Sequence, residues 1–86
     1  MPILAAFRGI IIRMHIGDHS PAHFHAEYQG ENAAFTLDGK VLAGHLRSAA
    51  IRRLVREWAN RHRHELAVNW RRAQRGESLE RIAPLE

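Results

Sequence analysis

Hydrophobic and polar positions change period about halfway along the chain. Up to residue 45 apolar residues fall in short alternating runs; beyond it they recur at helical spacing. In RGIIIRMHIGD (8–18), Ile10, Ile12, Met14 and Ile16 share one face, with Ile11, Arg13 and His15 on the other. In HFHAEY (23–28), Phe24, Ala26 and Tyr28 alternate with His23, His25 and Glu27. A one-residue slip would turn a whole strand over, so apolar residues must face apolar residues across the pair. One such register sets Met14 against Phe24, Ile12 against Ala26, His15 against His23 and Arg13 against His25. A tight turn around Gly30-Glu31 then pairs Ala26 with Phe35 and Phe24 with Leu37. It places Asp38 beside His23 and Thr36 beside His25. Asp38-Gly39 is a strong hairpin signal leading into a last short strand.

Residues 46–75 contain neither Gly nor Pro. Ile51, Leu54, Val55, Trp58, Ala59, His62, Leu66 and Ala73 fall within one arc at 100° per residue. Glu65 and Asn69 interrupt that arc, which predicts a bend or break near 60–64. Gly76 is a natural terminator. In the tail, Leu79, Ile82 and Leu85 are placed to pack back on the domain. The expected fold is α+β: an antiparallel meander of about four strands (roughly 3–16, 23–29, 33–38 and 41–44). A long or bent helix over roughly 47–75 packs on one face of it.

Composition narrows the picture. The 86 residues make a single domain, 1–86, with a thin core that a homodimer would supplement. There is no cysteine, so any transition-metal site must use His, Asp or Glu. No run of 18 apolar residues is present, and Arg8 and Arg13 interrupt the apolar start, so a cytoplasmic protein without a membrane span is expected. The net charge is +4, and every basic residue but Lys40 is Arg. Arg52, Arg53, Arg56, Arg63 and Arg71 form a stripe opposite the apolar arc. It reads as a solvated face or as a contact for nucleic acid or a partner protein.

Four of the seven histidines lie between positions 15 and 25, in HIGDHSPAHFH. On the register above, His15, His23 and His25 share a sheet face, with Asp18 and His19 in the adjoining loop. Three uses fit. One is a structural or interface role. Another is an anion or nucleic-acid contact, in which Arg13 joins the imidazoles. The third is a site for a divalent transition metal on His15, His23 and His25, with Asp38 as a further ligand or an orienting partner. Arg13 beside His25 opposes the metal reading, because a fixed positive charge repels a cation. His23 oriented by Asp38 is also a candidate general base. No phosphate loop or nucleophile motif accompanies these residues, and the residues by themselves lean away from an enzyme.

The segments MPIL, RGIIIRMHIGDHSPAHFHAEY, GKVLAGHL, LVREWANRHRHEL and NWRRAQRGESLERIAPL resemble, in order and spacing, a small bacterial family, the domain of unknown function 4160. DHSPAHFH is the core motif; Ala22 stands where the family usually has a second proline. The matching positions are Asp18, His19, Pro21, His23, Phe24 and His25. The resemblance implies a component of a two-gene, toxin–antitoxin-like module with a small partner protein from an adjacent gene, acting through protein and nucleic-acid binding. A His-based or metal-dependent nuclease or hydrolase centred on DHSPAHFH is the alternative.

Overall fold

The computed structural model describes residues 2–85. Five strands form one antiparallel sheet in chain order, followed by two helices. The strands are β1 (Ile3–Phe7), β2 (Ile10–Arg13), β3 (His23–Tyr28), β4 (Glu31–Thr36) and β5 (Val41–His45); the helices are α1 (Ala49–Arg61) and α2 (Arg63–Gln74). The class is α+β, as expected. The single strand expected over 3–16 is instead two, because Arg8 and Gly9 both take positive φ (51° and 80°) and close a hairpin. That pair of conformations is the two-residue turn whose twist matches the flanking strands. β2 stops at Arg13, which leaves Ile16 in a loop and about half exposed rather than in the core.

The β2–β3 register is the expected one: Ile12 opposes Ala26 and Arg13 opposes His25. The β3–β4 register differs by two residues, with Phe24 opposite Phe35, Ala26 opposite Ala33 and His23 opposite Thr36. The turn residues are Gln29 and Gly30 (φ 48° and 81°), not Gly30 and Glu31. A shift of two preserves the faces, so His23 and His25 still point away from Phe24. Asp38, however, no longer reaches His23. It accepts from the Thr36 hydroxyl in the β4–β5 turn, and that hydroxyl holds its carboxyl below the usual range.

That turn spans Leu37, Asp38 and Gly39. Gly39 donates to the Thr36 carbonyl (2.9 Å) and Thr36 N–H donates to the Lys40 carbonyl (2.7 Å). Phe35 pairs with Val41 but Ala34 pairs with Ala43, so Leu42 is an extra residue on β5, a β-bulge.

One face of the sheet carries the core. Leu4, Ile10, Ile12, Met14, Phe24 and Phe35 are fully buried, as are Val55, Trp58 and Leu66 from the helices. Phe24 stacks on Phe35 (5.6 Å, 8°), and Trp58 meets Phe24 edge-on (5.8 Å, 77°). Such pairs add about 0.5–1.5 kcal/mol each beyond burial. Ser48 caps α1 by accepting from the Ile51 N–H (3.2 Å). The helical run breaks at His62 (φ −122°, ψ 30°), inside the 60–64 window, so two helices replace one. Asn69, which interrupts the apolar stripe, is buried because it clasps the tail: its Nδ2 donates to the Glu80 carbonyl (2.9 Å) and Glu80 N–H donates to its Oδ1 (2.8 Å). The tail then caps the β1 edge, with Ile82 N–H donating to the Leu4 carbonyl (2.8 Å). Among the described residues no helix is long and apolar enough to cross a membrane.

Gly39 and Gly30 give a paired test of what the β4–β5 turn contributes. Both sit at positive φ, where any side chain costs about 1–2 kcal/mol. A Cβ on Gly30 meets nothing within 4 Å, whereas one on Gly39 falls 2.7 Å from the Cα of Arg56. Gly39→Ala is expected to lose about 2 kcal/mol more than Gly30→Ala in urea unfolding, since the turn must lift off α1. Equal losses would show that this contact is not tight.

Candidate functional site

The loop 14–22 crosses the end of the sheet between β2 and β3 and is pinned from three directions. Gly17 N–H donates to the Ala73 carbonyl at the end of α2 (3.0 Å), and the Gln74 amide donates to the Asp18 carbonyl (2.9 Å). The Asp18 side chain supplies the third tie. Its Oδ1 accepts from the His19 backbone N–H and from His19 Nδ1, both at 2.9 Å. Its Oδ2 accepts from His23 Nε2 at 2.9 Å. Ser20–Pro21 is a cis peptide bond.

His23 is 6% exposed, and both its ring nitrogens are engaged. Nδ1 lies 2.7 Å from the Pro21 carbonyl oxygen and Nε2 lies 2.9 Å from Asp18 Oδ2. Its ring also packs against Trp70 (5.4 Å). His23 is therefore neither a free base nor a ligand with an open nitrogen, which corrects two of the roles expected for it. It holds Asp18 in place.

His25, two residues on and half-buried, is different. Its Nε2 is shielded from solvent and has no hydrogen-bond partner; Asp18 Oδ2 lies 3.6 Å away. His15 packs edge-on against the His25 ring (4.6 Å, 84°) rather than facing His23, because the β2–β3 ladder ends at Arg13–His25. Burial, then the neighbouring His15 ring, push the His25 imidazole below its usual range, with Asp18 opposing and His23 adding to the shift. At neutral pH its ring is uncharged and keeps a lone pair. For Asp18, burial acts to raise the carboxyl, but the His19 backbone N–H and the His23 ring more than offset it and hold it at about 2.

One ligand atom each from His15, Asp18 and His25 lies within 4.8 Å of the others. Two imidazoles and a carboxylate are a donor set that transition metals accept with coordination positions left open. Bonds of about 2.0–2.1 Å at a tetrahedral angle separate two ligand atoms by roughly 3.3 Å. The 3.6 Å between His25 Nε2 and Asp18 Oδ2 is close to that. An ionised carboxylate has about four acceptor positions, and three on Asp18 are filled. The metal set read from sequence thus changes membership: Asp18 replaces His23, and Asp38 is absent.

The objection raised by Arg13 also changes. Arg13 does sit opposite His25, but its Nε donates to Glu27 Oε2 (3.1 Å), which offsets its charge. It does not line the pocket, and the anion site expected from Arg13 with the histidines loses its cation. That pocket has a volume of about 460 Å³. Asp18, His19 and Pro21 form its loop side, His23 and His25 come from β3, Ala34 from β4, and Leu42 and Ala43 from β5. Sequence reasoning missed the last three. A bulge at Leu42 has no marker in the alternation of VLAGH.

None of Arg52, Arg53, Arg56, Arg63 and Arg71 lines the pocket. Arg52 donates to the Leu46 and Arg47 carbonyls. Arg56 packs against Gly39, and Arg63 acts on Asp38. Arg53, Arg56, Arg63 and Arg71 are all exposed.

A family model described as domain of unknown function (DUF4160) matches residues 9–71, most of the chain and all of the pocket. The chain belongs to the DUF4160 family. No curated protein and no solved structure matches it. Within the DUF4160 match, the loop and β3 bring together Asp18, His23 and His25, while the stretch of β4 and β5 supplies the apolar wall.

The lowered Asp18 carboxyl carries a sign for stability. A carboxyl that ionises more readily in the folded state stabilises the fold above its unfolded value, 3.8, and loses that contribution as pH falls through about 2. The contribution is about 1–2 kcal/mol once solvent screening at the carboxylate edge is allowed for. Urea unfolding of the wild type is expected to show this loss between pH 4 and 2. Asp18→Asn is expected to lack that component and to be less stable by a similar amount at pH 7. Parallel pH profiles for the two proteins would rule it out.

Proposed function

We propose that this DUF4160 chain is a small hydrolase whose centre is a divalent transition-metal ion held by His15, Asp18 and His25. The observation that carries the reading is the His25 Nε2: a solvent-shielded nitrogen with no hydrogen-bond partner, 3.6 Å from a carboxylate oxygen. A buried polar atom of that kind costs about 1–3 kcal/mol if nothing ever engages it. A bound ion uses its lone pair. The positioning of Asp18 by His23 supports the same reading, since residues that orient ligands are worth about 10–100-fold in metal affinity. When bound, the ion supplies a Lewis acid and an activated water. The chain supplies a neutral His25 and a carboxylate fixed by three contacts.

Titration of the metal-stripped protein with Zn²⁺ or Co²⁺ by calorimetry is the test. One ion per chain is expected, with His25→Ala and His15→Ala each weakening binding at least 100-fold. His23→Gln is expected to weaken it about 10–100-fold with the fold retained by circular dichroism. Wild-type binding no tighter than that of the double variant His15→Ala/His25→Ala would end the proposal.

A second reading has its own observation. The β1 edge is capped by the tail, whereas β5 is an exposed edge strand carrying Val41 and Leu42, each nearly half exposed. An open apolar edge is a template for a partner strand. It supports the role of component in a two-gene, toxin–antitoxin-like module, with β5 as the contact for the partner protein or for a second copy. Nucleic-acid contact in that reading rests on the exposed members of the stripe, Arg53, Arg56, Arg63 and Arg71. Co-purification with the product of the adjacent gene is expected to be lost on Val41→Lys. An unaffected complex would move the contact away from β5.

A further inference from the structure

The wall beside the ligand cluster has chemistry of its own. His25, Ala34 and Ala43 are consecutive partners across β3, β4 and β5, so their side chains form a row on the open face of the sheet. Strands are about 4.8 Å apart, so the row runs roughly 10 Å outward from the imidazole. Two of its three members are methyl groups, which leave a trough. The bulge turns Leu42 to the same side as Ala43, so two adjacent residues of one strand line one cavity. Pro21 closes the loop side. The lining contains no Lys or Arg, and the nearest cation in the sheet, Arg13, is paired with Glu27.

We infer that this trough is an acyl-binding subsite, and that the substrate class is an uncharged carboxylic ester or amide with a short apolar acyl chain. The inference rests on the metal reading above. An anionic phosphodiester would find no side-chain cation in the pocket, whereas an alkyl chain would cover Leu42, which is 45% exposed without a ligand. A carbonyl beside His25 and Asp18 places its acyl chain along Ala34 and Ala43. In hydrolysis the water oxygen bonds to the carbonyl carbon and the acyl–oxygen or acyl–nitrogen bond breaks. The water's proton passes to the leaving alcohol or amine, so no further reactant is needed.

The probe is a series of alkyl hydroxamates, which are neutral acyl analogues with a metal-binding head. The full chain is loaded with Co²⁺ and titrated with acetohydroxamate, butanohydroxamate and hexanohydroxamate, following the visible Co²⁺ spectrum and calorimetry. Affinity is expected to rise about fourfold for each of the first added methylenes. Leu42→Asp is expected to flatten that dependence while leaving Co²⁺ affinity within twofold. Ala34→Leu, which fills the trough without adding charge, is expected to do the same for the longer chains. Co²⁺ binding with chain-length-independent hydroxamate affinity overturns the subsite and leaves the metal centre standing. Inorganic phosphate binding tighter than hexanohydroxamate does likewise. Failure to bind Co²⁺ at all overturns both.

Discussion

The Asp18 carboxylate is the tie on which the functional end of the molecule depends. The loop 14–22 has no regular ladder of its own, and its course is set by what holds it. Backbone bonds fasten it to the end of α2, and the carboxylate fastens it to β3 through a histidine that is almost wholly buried. The ionised carboxylate accepts only, and the Pro21 carbonyl accepts only. Each nitrogen of His23 faces one of these acceptors, so the ring bridges the loop at two points, and the loop in turn fixes where His15 and His25 meet.

Much of this was legible in the sequence for one reason: a strand with one buried face has to alternate. HFHAEY alternates without exception, so the outward direction of His23 and His25 followed from pattern alone, and the observed register against IIIR is one of those the pattern allows. What was not legible came from backbone conformations that side-chain pattern does not encode. A turn of two positive-φ residues at Arg8-Gly9 divides the first strand, and one at Gln29-Gly30 shifts the third pairing by two residues. That shift preserved the faces and so left the core intact. It removed Asp38 from the cluster, so that two of the three histidines proposed as ligands, His15 and His25, group with a different carboxylate. Asp18, counted as a loop neighbour, is the acid that reaches them. Asn69 is a similar case. Read along a helix it breaks the apolar stripe; in the fold it satisfies the backbone of a tail more than ten residues away in sequence.

A small domain also has few places for chemistry. The helical layer and the inner face of the sheet are spent on the core, with Trp58, Phe24 and Phe35 at its centre. The outer face is free of helices, but in a short sheet it is too shallow to enclose a ligand unless something rises from it. Two departures from regularity do so here: the loop 14–22 on one side and the bulge at Leu42 on the other. Both lie within the segment matched by the DUF4160 model, while the edge-capping tail and all of β1 lie outside it. Every residue that lines the pocket falls inside the matched segment.

The net positive charge points elsewhere than it first suggests. A charge of +4 on a small domain invites a polyanion, but charge acts on a partner only where it is exposed and uncommitted. Arg52 is engaged with carbonyls at the entry to α1, and Arg13 and Arg47 with glutamates. Those guanidinium groups have partners within the domain. They are distributed around the fold instead of gathered into a groove, and the break at His62 further divides the stripe expected along one helix. The pocket, by contrast, combines a fixed carboxylate, uncharged imidazole and an apolar wall. The chemistry of that cavity is thus set by local geometry and not by total charge.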